Sequence, residues 1–165
     1  MHSSKHGVTG MSLSTEQVQA FMDYLEDAMP VKAKVHKAGK KKTDTAVRDA
    51  DVYHIEHEAT ELYDILQEVA KMVNLYFKYD LTGIEKAQIM HYKAPSNGYN
   101  YHIDLEPHTS ETSRKVSVSI LLNDEYEGGE ICFRTSEEGT CQKPSVGNVI
   151  AFSSFIPHKI NPITS

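Results

Sequence analysis

The sequence predicts a mainly β protein buttressed by N-terminal helices, an α+β arrangement with a sandwich or barrel of short strands in its second half. Three observations carry this. Apolar residues recur at helical spacing in two stretches before residue 80. From about residue 86 the apolar period changes to two, over runs at 87–93, 100–105, 116–123, 130–134, 148–153 and 158–163. Turn-forming residues stand between these runs: Pro95, Asn97-Gly98, Asn123-Asp124, Gly128-Gly129, Glu138-Gly139 and Gly147-Asn148. Many short strands joined by tight turns bury their apolar faces by closing into a sandwich or barrel.

The elements follow in order. Residues 1–12 read as a flexible lead-in. Ser14 can cap a first helix, with Gln17 as its capping-box partner, and Val18, Phe21, Met22 and Leu25 follow at helical spacing until Pro30 ends it. Residues 31–50 read as an exposed loop in which Lys32, Lys34, Lys37, Lys40, Lys41 and Lys42 crowd together with few apolar residues. A long helix is predicted over 53–79, because Ile55, Ala59, Leu62, Leu66, Val69, Val73 and Tyr76 step alternately by four and three. His54 and His57 fall on it at i, i+3, which does not match the i, i+4 spacing of a helical zinc site. In the strand half, Val116, Val118, Ile120 and Leu122 take one face. No internal repeat and no linker divides the chain. It reads as one domain over 1–165, with 1–85 a helical support region and 86–165 the strand core.

Composition narrows the function. Lys plus Arg is 17 against 23 for Asp plus Glu, a net charge of −6 over 165 residues, which argues against a general nucleic-acid binder. The longest apolar runs, near Ile120–Leu122 and Val149–Phe152, fall far short of the ~18 residues that span a bilayer. The first seven residues contain no apolar secretory core, so a soluble, cytoplasmic chain is expected. In that compartment Cys132 and Cys141 are expected as free thiols. Nine histidines are many for this length, so histidine chemistry has to be weighed.

One constellation carries chemistry. If residues 100–105 form a strand, His102 and Asp104 point to one face and Ile103 to the other. An imidazole and a carboxylate then stand side by side and can hold two adjacent positions on a metal ion. A third ligand should come from another strand, and His158 is the candidate: it follows the apolar run Val149–Phe152 and a turn through Ser153–Pro157. Two histidines and one carboxylate on one face of an octahedron are the facial triad of non-haem Fe(II) oxygenases. His91 and His108 do not fit the ligand spacing.

The surrounding pattern resembles the 2-oxoglutarate- and Fe(II)-dependent dioxygenases, in particular their prolyl 4-hydroxylase-like branch. The resemblance begins at Met90-His91-Tyr92 and continues through Gly98-Tyr99-Asn100-Tyr101-His102-Ile103-Asp104, similar to the family's Y-x-x-H-x-D segment. It runs on through Leu122-Asn123 and Gly128-Gly129-Glu130 to Phe133, and from Pro144 and Gly147 to Phe152. It ends at Pro157-His158-Lys159-Ile160-Asn161-Pro162. It covers the second half of the chain, in the family's order.

The resemblance implies a double-stranded β-helix, or jelly roll. It implies Fe(II) held by His102, Asp104 and His158, with 2-oxoglutarate and O2 as co-substrates and ascorbate as a reductant. Tyr92 and Tyr99 would face the cavity and donate to the co-substrate's carboxylate or shape its pocket. The reaction implied is hydroxylation of a prolyl or lysyl side chain in a peptide or protein, with succinate and CO2 as co-products. Neither a nucleic acid nor a membrane is implied as a partner, and the oligomeric state stays open. The Lys32–Lys42 stretch lies where the family often places a substrate-facing lid.

The family's basic anchor for the distal carboxylate, a G-x-R or G-x-K on the next strand, would fall just beyond Ser165. The expectation is therefore a C-terminally truncated jelly roll lacking its last strand, its activity as it stands left open. Lys93, Arg114, Lys115, Arg134 and Lys159 are possible substitute cations. The alternative is a non-catalytic jelly-roll binding module that has lost the anchor.

Overall fold

The computed structural model describes residues 2–4, 7–37, 40–44, 46–105, 114–134 and 139–165. His108, Pro107 and Glu138, singled out in the sequence, lie outside the described residues, as do the side chains of Lys37, Lys40, Lys41 and Lys42.

The lead-in expected to be flexible instead forms β1 (His2–Ser4) and β2 (Gly7–Ser12). The reason lies far away in sequence. The strand β12 (Asn148–Ser153) is buried from Val149 onward, and its backbone N–H and C=O groups need partners along both edges. On one edge it pairs antiparallel with β9 (Val116–Ile120), and on the other with β2. The resulting sheet runs β1-β2-β12-β9. Short-range patterning cannot reveal a strand that exists to cover a distant edge.

The first helix, α1 (Thr15–Asp27), starts at the predicted capping box: the Ser14 hydroxyl accepts from Gln17 N–H at 3.2 Å, and Gln17 Oε1 accepts from Ser14 N–H at 2.9 Å. The Lys-rich stretch is not one open loop. It contains β3 (Val31–Lys32) and the hairpin β4 (Val35–Lys37) and β5 (Lys40–Lys42).

The helix predicted over 53–79 is shorter than expected. Residues 51–54 form β6 (Asp51–His54), and α2 covers only Thr60–Phe77. Between β3 and β7 (Gln88–His91), β6 is the middle strand of a three-stranded sheet, with Val52 opposite both Val31 and Met90. Cross-strand pairing overrides the helical period there. Ile55 still reaches the core, but from the turn that follows β6 rather than from a helix face. Two tyrosines fasten that turn: Tyr24 Oη donates to the His54 carbonyl at 2.9 Å, and Tyr63 Oη donates to the Ile55 carbonyl at 2.9 Å. His54 and His57 are therefore not on the helix, and 1–85 is not purely helical support.

The second four-stranded sheet runs β11 (Thr140–Gln142), β10 (Ile131–Phe133), β13 (His158–Ile160), β8 (Tyr99–His102). β12 joins the layers through its two-residue period. Val149 and Ala151 pack on Val69 and Val73 of α2, while Ile150 and Phe152 pack on Ile131, Phe133 and Ile156. The first sheet thus has a helix on one face and the second sheet on the other. Burying each of the larger side chains contributes about 1.5–3 kcal/mol. Among the described residues no helix is long and apolar enough to cross a membrane.

The expectation of free thiols is corrected. Cys132 and Cys141 form a disulfide. They are register partners across β10 and β11, with Cα atoms 3.9 Å apart, so the hairpin itself delivers one sulfur to the other. A reading from compartment alone has no access to that pairing.

Gly98, just before β8, has φ +71°, and a Cβ there would stand 2.4 Å from the Ile160 carbonyl oxygen and 2.6 Å from that of Asn161. Both the left-handed backbone and the close approach to β13 require glycine. We predict that Gly98→Ala destabilises the protein by about 2–4 kcal/mol in chemical denaturation. A loss within experimental error would show that β8 and β13 do not approach this closely.

Candidate metal centre

β8 and β13 are antiparallel neighbours, with His158 opposite His102. The two rings lie 4.2 Å apart between centroids. The register shifts between His158 and Ile160, because residues 99 to 102 of β8 span only residues 160 to 158 of β13. On a regular strand Tyr99 and His102, three apart, would face opposite sides. The bulge turns both to one side, and their rings stack at 3.5 Å and 17°.

Asp104 arrives by a different route from the one its spacing implied. β8 ends at His102, and Asp104 sits in a bend past the strand. Its N–H donates to the Ser154 carbonyl at 2.9 Å, which ties it to the turn after β12. Arg114 Nη1 donates to the Asp104 carbonyl at 3.1 Å, while its Nε lies 2.9 Å from both carboxylate oxygens of Glu85. The Ser117 hydroxyl donates to Asp104 Oδ2 at 2.6 Å and lies 2.9 Å from the fully buried Ser154 hydroxyl. Three separate elements therefore aim one carboxylate.

The outcome is a convergent donor set. Asp104 Oδ1 is 3.5 Å from His102 Nε2, and Oδ2 is 3.6 Å from His158 Nε2. One ligand atom from each residue lies within 4.8 Å of the others. The tautomers follow from the backbone. His102 Nδ1 lies 2.8 Å from the Asn100 carbonyl, and His158 Nδ1 lies 3.0 Å from the Ile156 carbonyl. A carbonyl only accepts, so each Nδ1 carries a proton, and a ring without a second proton turns its Nε2 lone pair toward the carboxylate. Burial lowers the pKa of His158, against the pull of Asp104 and of the Ile156 carbonyl, so its ring favours the neutral form.

Burial raises the Asp104 pKa, but His102, which carries its second proton in acid, the Ser117 hydroxyl and the charge of protonated His158 outweigh it and hold the carboxyl at about 2. Two lone pairs facing an ionised carboxylate repel one another unless a cation sits among them. Imidazole nitrogens and a carboxylate suit a first-row divalent ion, and the Nδ1–H···O=C bonds are the outer contacts that orient metal-binding histidines. The residues fit such an ion.

The tyrosines differ. Tyr99 touches the donor set through His102. Tyr92 follows β7 and packs on the cluster of Ala33, Ala50 and Val52, with its hydroxyl 3.9 Å from Met90 Sδ. Burial outweighs the nearby Arg48 and pushes the Tyr92 pKa up to about 12; burial raises that of Tyr99 as well. Both hydroxyls therefore remain proton donors at neutral pH. Among the candidate cations, Arg114 is engaged by Glu85, while Arg134 and Lys159 stand over the Tyr101 ring at 4.2 and 5.3 Å.

Sequence reasoning missed Arg48, Ser117 and Ser154. Ser117 shared a strand with other small polar residues, and Arg48 ended a basic stretch that read as a solvated loop. Arg48 Cζ stands 4.8 Å from the Tyr99 centroid.

A depressed carboxyl pKa adds stability above the ordinary value of 3.8 that is lost as pH falls toward 2. We predict that urea denaturation of metal-free protein shows this loss below pH 4 and that Asp104→Asn removes it. An unchanged acid profile in the variant would mean that Asp104 is not held as described.

The chain is similar to known proteins in sequence and in fold. Residues 87–165 match the model of the 2OG-Fe(II) oxygenase superfamily. A PKHD-type hydroxylase of Synechococcus sp. (strain CC9902) is 31% identical over 71 residues, which is 42% of this chain and 32% of that protein. The aligned stretch thus spans about a third of that relative's length. In structure, the chain is similar to a Trichoplax adhaerens prolyl hydroxylase in complex with a peptide fragment of the hypoxia inducible factor oxygen degradation domain. The TM-score is 0.75 at 16% identity, covering 96% of this chain and 78% of that one. It is also similar to the viral collagen prolyl hydroxylase of Paramecium Bursaria Chlorella virus-1 in its 2OG complex, with TM-score 0.71 at 17% identity, covering 98% and 90%. At these identities the structural likenesses speak for the fold alone. The family model that matches this chain, over residues 87–165, is that of the 2OG-Fe(II) oxygenase superfamily.

Proposed function

We propose that this chain is a 2-oxoglutarate- and Fe(II)-dependent dioxygenase domain of the prolyl 4-hydroxylase-like branch, formed by residues 1–165 around a jelly-roll core. His102, Asp104 and His158 would hold the iron, and Tyr92 and Tyr99 would serve the co-substrate. The observation that carries this reading is the donor set itself: two imidazoles, their Nε2 lone pairs aimed inward by backbone carbonyls, converge on one ionised carboxylate. The chemistry that bound Fe(II), 2-oxoglutarate and O2 supply is hydroxylation of a C–H bond, with succinate and CO2 as co-products and ascorbate keeping the metal reduced.

The chain's own residues prepare the place for it. The Asn100 and Ile156 carbonyls keep both Nδ1 protons in place, so neither ring can present N–H to a metal. Ser117 fixes Asp104 Oδ2 and with it the carboxylate plane. Phe152 and Phe133 lie 4.6 and 6.2 Å from the His158 ring and Tyr99 covers His102, so apolar surface displaces water from both imidazoles. The substrate we favour is a prolyl or lysyl side chain of a peptide or protein. It is supported by the fold shared with prolyl hydroxylases, one of them in complex with a peptide.

The test is an anaerobic titration of Fe(II)-loaded protein with 2-oxoglutarate, following the visible metal-to-ligand charge-transfer band. The proposal predicts a saturable band that His102→Ala abolishes. A protein that binds no Fe(II) would contradict it.

A further inference from the structure

Phe133 packs into the core opposite His158, so Cys132, its neighbour on β10, points to the other face of the second sheet, opposite Lys159. A row of side chains crosses that face. Cys141, Cys132 and Lys159 stand in register, followed by Tyr101, whose ring carries both the Lys159 ammonium and the Arg134 guanidinium. Among the described residues neither cation pairs with a carboxylate. The two cysteines are unlike in access. Cys132 is 0% exposed, whereas Cys141 is open to solvent on β11, the edge strand of the sheet.

A thiolate opens a disulfide by attacking one sulfur and expelling the other. The rate depends on access to the attacked sulfur and on the stability of the departing thiolate. Access selects Cys141 Sγ. The departing group is then Cys132 Sγ, and the positive charge of Lys159 and Arg134 on the same face stabilises a thiolate there.

The effect of opening reaches the donor set through β10. The edge strand β11 is held by three register pairs and this one crosslink. In turn β10 holds β13 on either side of His158: Arg134 N–H donates to the Pro157 carbonyl at 2.8 Å, and Asn161 N–H donates to the Glu130 carbonyl at 2.9 Å. Phe133 lies against both Phe152 and the His158 ring. Opening the crosslink therefore loosens the outer neighbour of β10 one residue away from the side chain that seats His158.

We propose that Cys132–Cys141 is a thiol–disulfide exchange site for a dithiol reductant, entered at Cys141, and that opening it weakens the seat of His158. A reductant thiolate bonds to Cys141 Sγ as the Cys132–Cys141 bond breaks. The electron pair of that bond stays on Cys132 Sγ, which then takes up a proton. The reductant's second thiolate attacks its own sulfur in the mixed disulfide and frees Cys141. Two electrons pass to the cysteine pair, and the reductant leaves as a disulfide. The exchange stands apart from the oxygenase reading; only its effect on metal binding rests on that reading.

The test uses the folded chain without O2. Reduced glutathione is added, free thiols are blocked with N-ethylmaleimide, and peptide mass mapping locates the mixed disulfide. Opening by dithiothreitol is timed in wild type and Arg134→Gln and compared with the rate of global unfolding. Mn(II), a hard ion that thiols bind poorly, is then titrated by EPR into oxidised protein, into reduced protein freed of reductant, and into the double variant Cys132→Ser, Cys141→Ser. Melting temperature establishes that each form is folded.

Glutathione is expected on Cys141, with opening much faster than unfolding and slowed roughly 2- to 5-fold in Arg134→Gln. Reduction is expected to weaken Mn(II) binding roughly 3- to 10-fold, and the double variant to bind as the reduced protein does whether or not reductant is added. Glutathione on Cys132, or opening only at the unfolding rate, would overturn the exchange site. Equal Mn(II) affinity in both redox states would overturn its link to His158. Oxidised wild type that binds no Mn(II) would overturn the metal reading and that link together, and the glutathione map would still decide the exchange site.

Discussion

Three electron-pair donors held within a few ångströms of one another are an unfavourable arrangement, and much of this structure serves to maintain it. His102 Nε2, His158 Nε2 and the Asp104 carboxylate would separate, or take up protons, if they were free to do so. They are not free. Each imidazole is tied by its Nδ1–H to a carbonyl two residues earlier in its own chain segment, an anchor that no side-chain substitution elsewhere can supply. The carboxylate is held by a hydroxyl of β9 and by backbone on the turn after β12. A group of this kind is stable only where the surrounding fold over-determines it.

The fold supplies that rigidity through one strand. β12 is buried along nearly its whole length, sends alternate side chains to the helix layer and to the second sheet, and ends in the turn that carries Ser154 and leads to His158. Its two neighbours, β2 and β9, come from opposite parts of the chain. β9 brings Ser117 to Asp104, while β13 places His158 opposite His102. Packing of the core and aim of the ligands are thus the same set of contacts, and a change that loosens β12 reaches all three donors.

Much of this was legible in the sequence. The two-residue period after residue 86 corresponds to β7–β10, β12 and β13, though not to β11, and the capping box at Ser14 and Gln17 opens α1 as expected. The three proposed ligands do converge. What could not be read depends on partners distant in sequence. Residues 7–12 become a strand because β12 needs an edge covered. Ile55 lost its helix because β6 pairs with β7. Asp104 lies beyond its strand, so its alignment with His102 comes from Ser154 and Ser117 rather than from strand alternation. The Tyr99–His102 stack needs a bulge that no spacing rule contains. The disulfide depends on the register of a hairpin, and Arg48 acquires its meaning only from what surrounds it.

The most direct test of this account concerns the imidazoles themselves, before any substrate or co-substrate is considered. Long-range 1H–15N correlation spectra of metal-free protein at neutral pH report the tautomer and charge of every histidine. The account predicts that the His102 and His158 rings both carry a proton on Nδ1, that His158 is neutral, and that one equivalent of Zn(II) shifts both Nε2 resonances together. The rings of His54, His57 and His91 should stay unmoved. Nε2-protonated or doubly protonated rings at 102 and 158, indifferent to added metal, would contradict it.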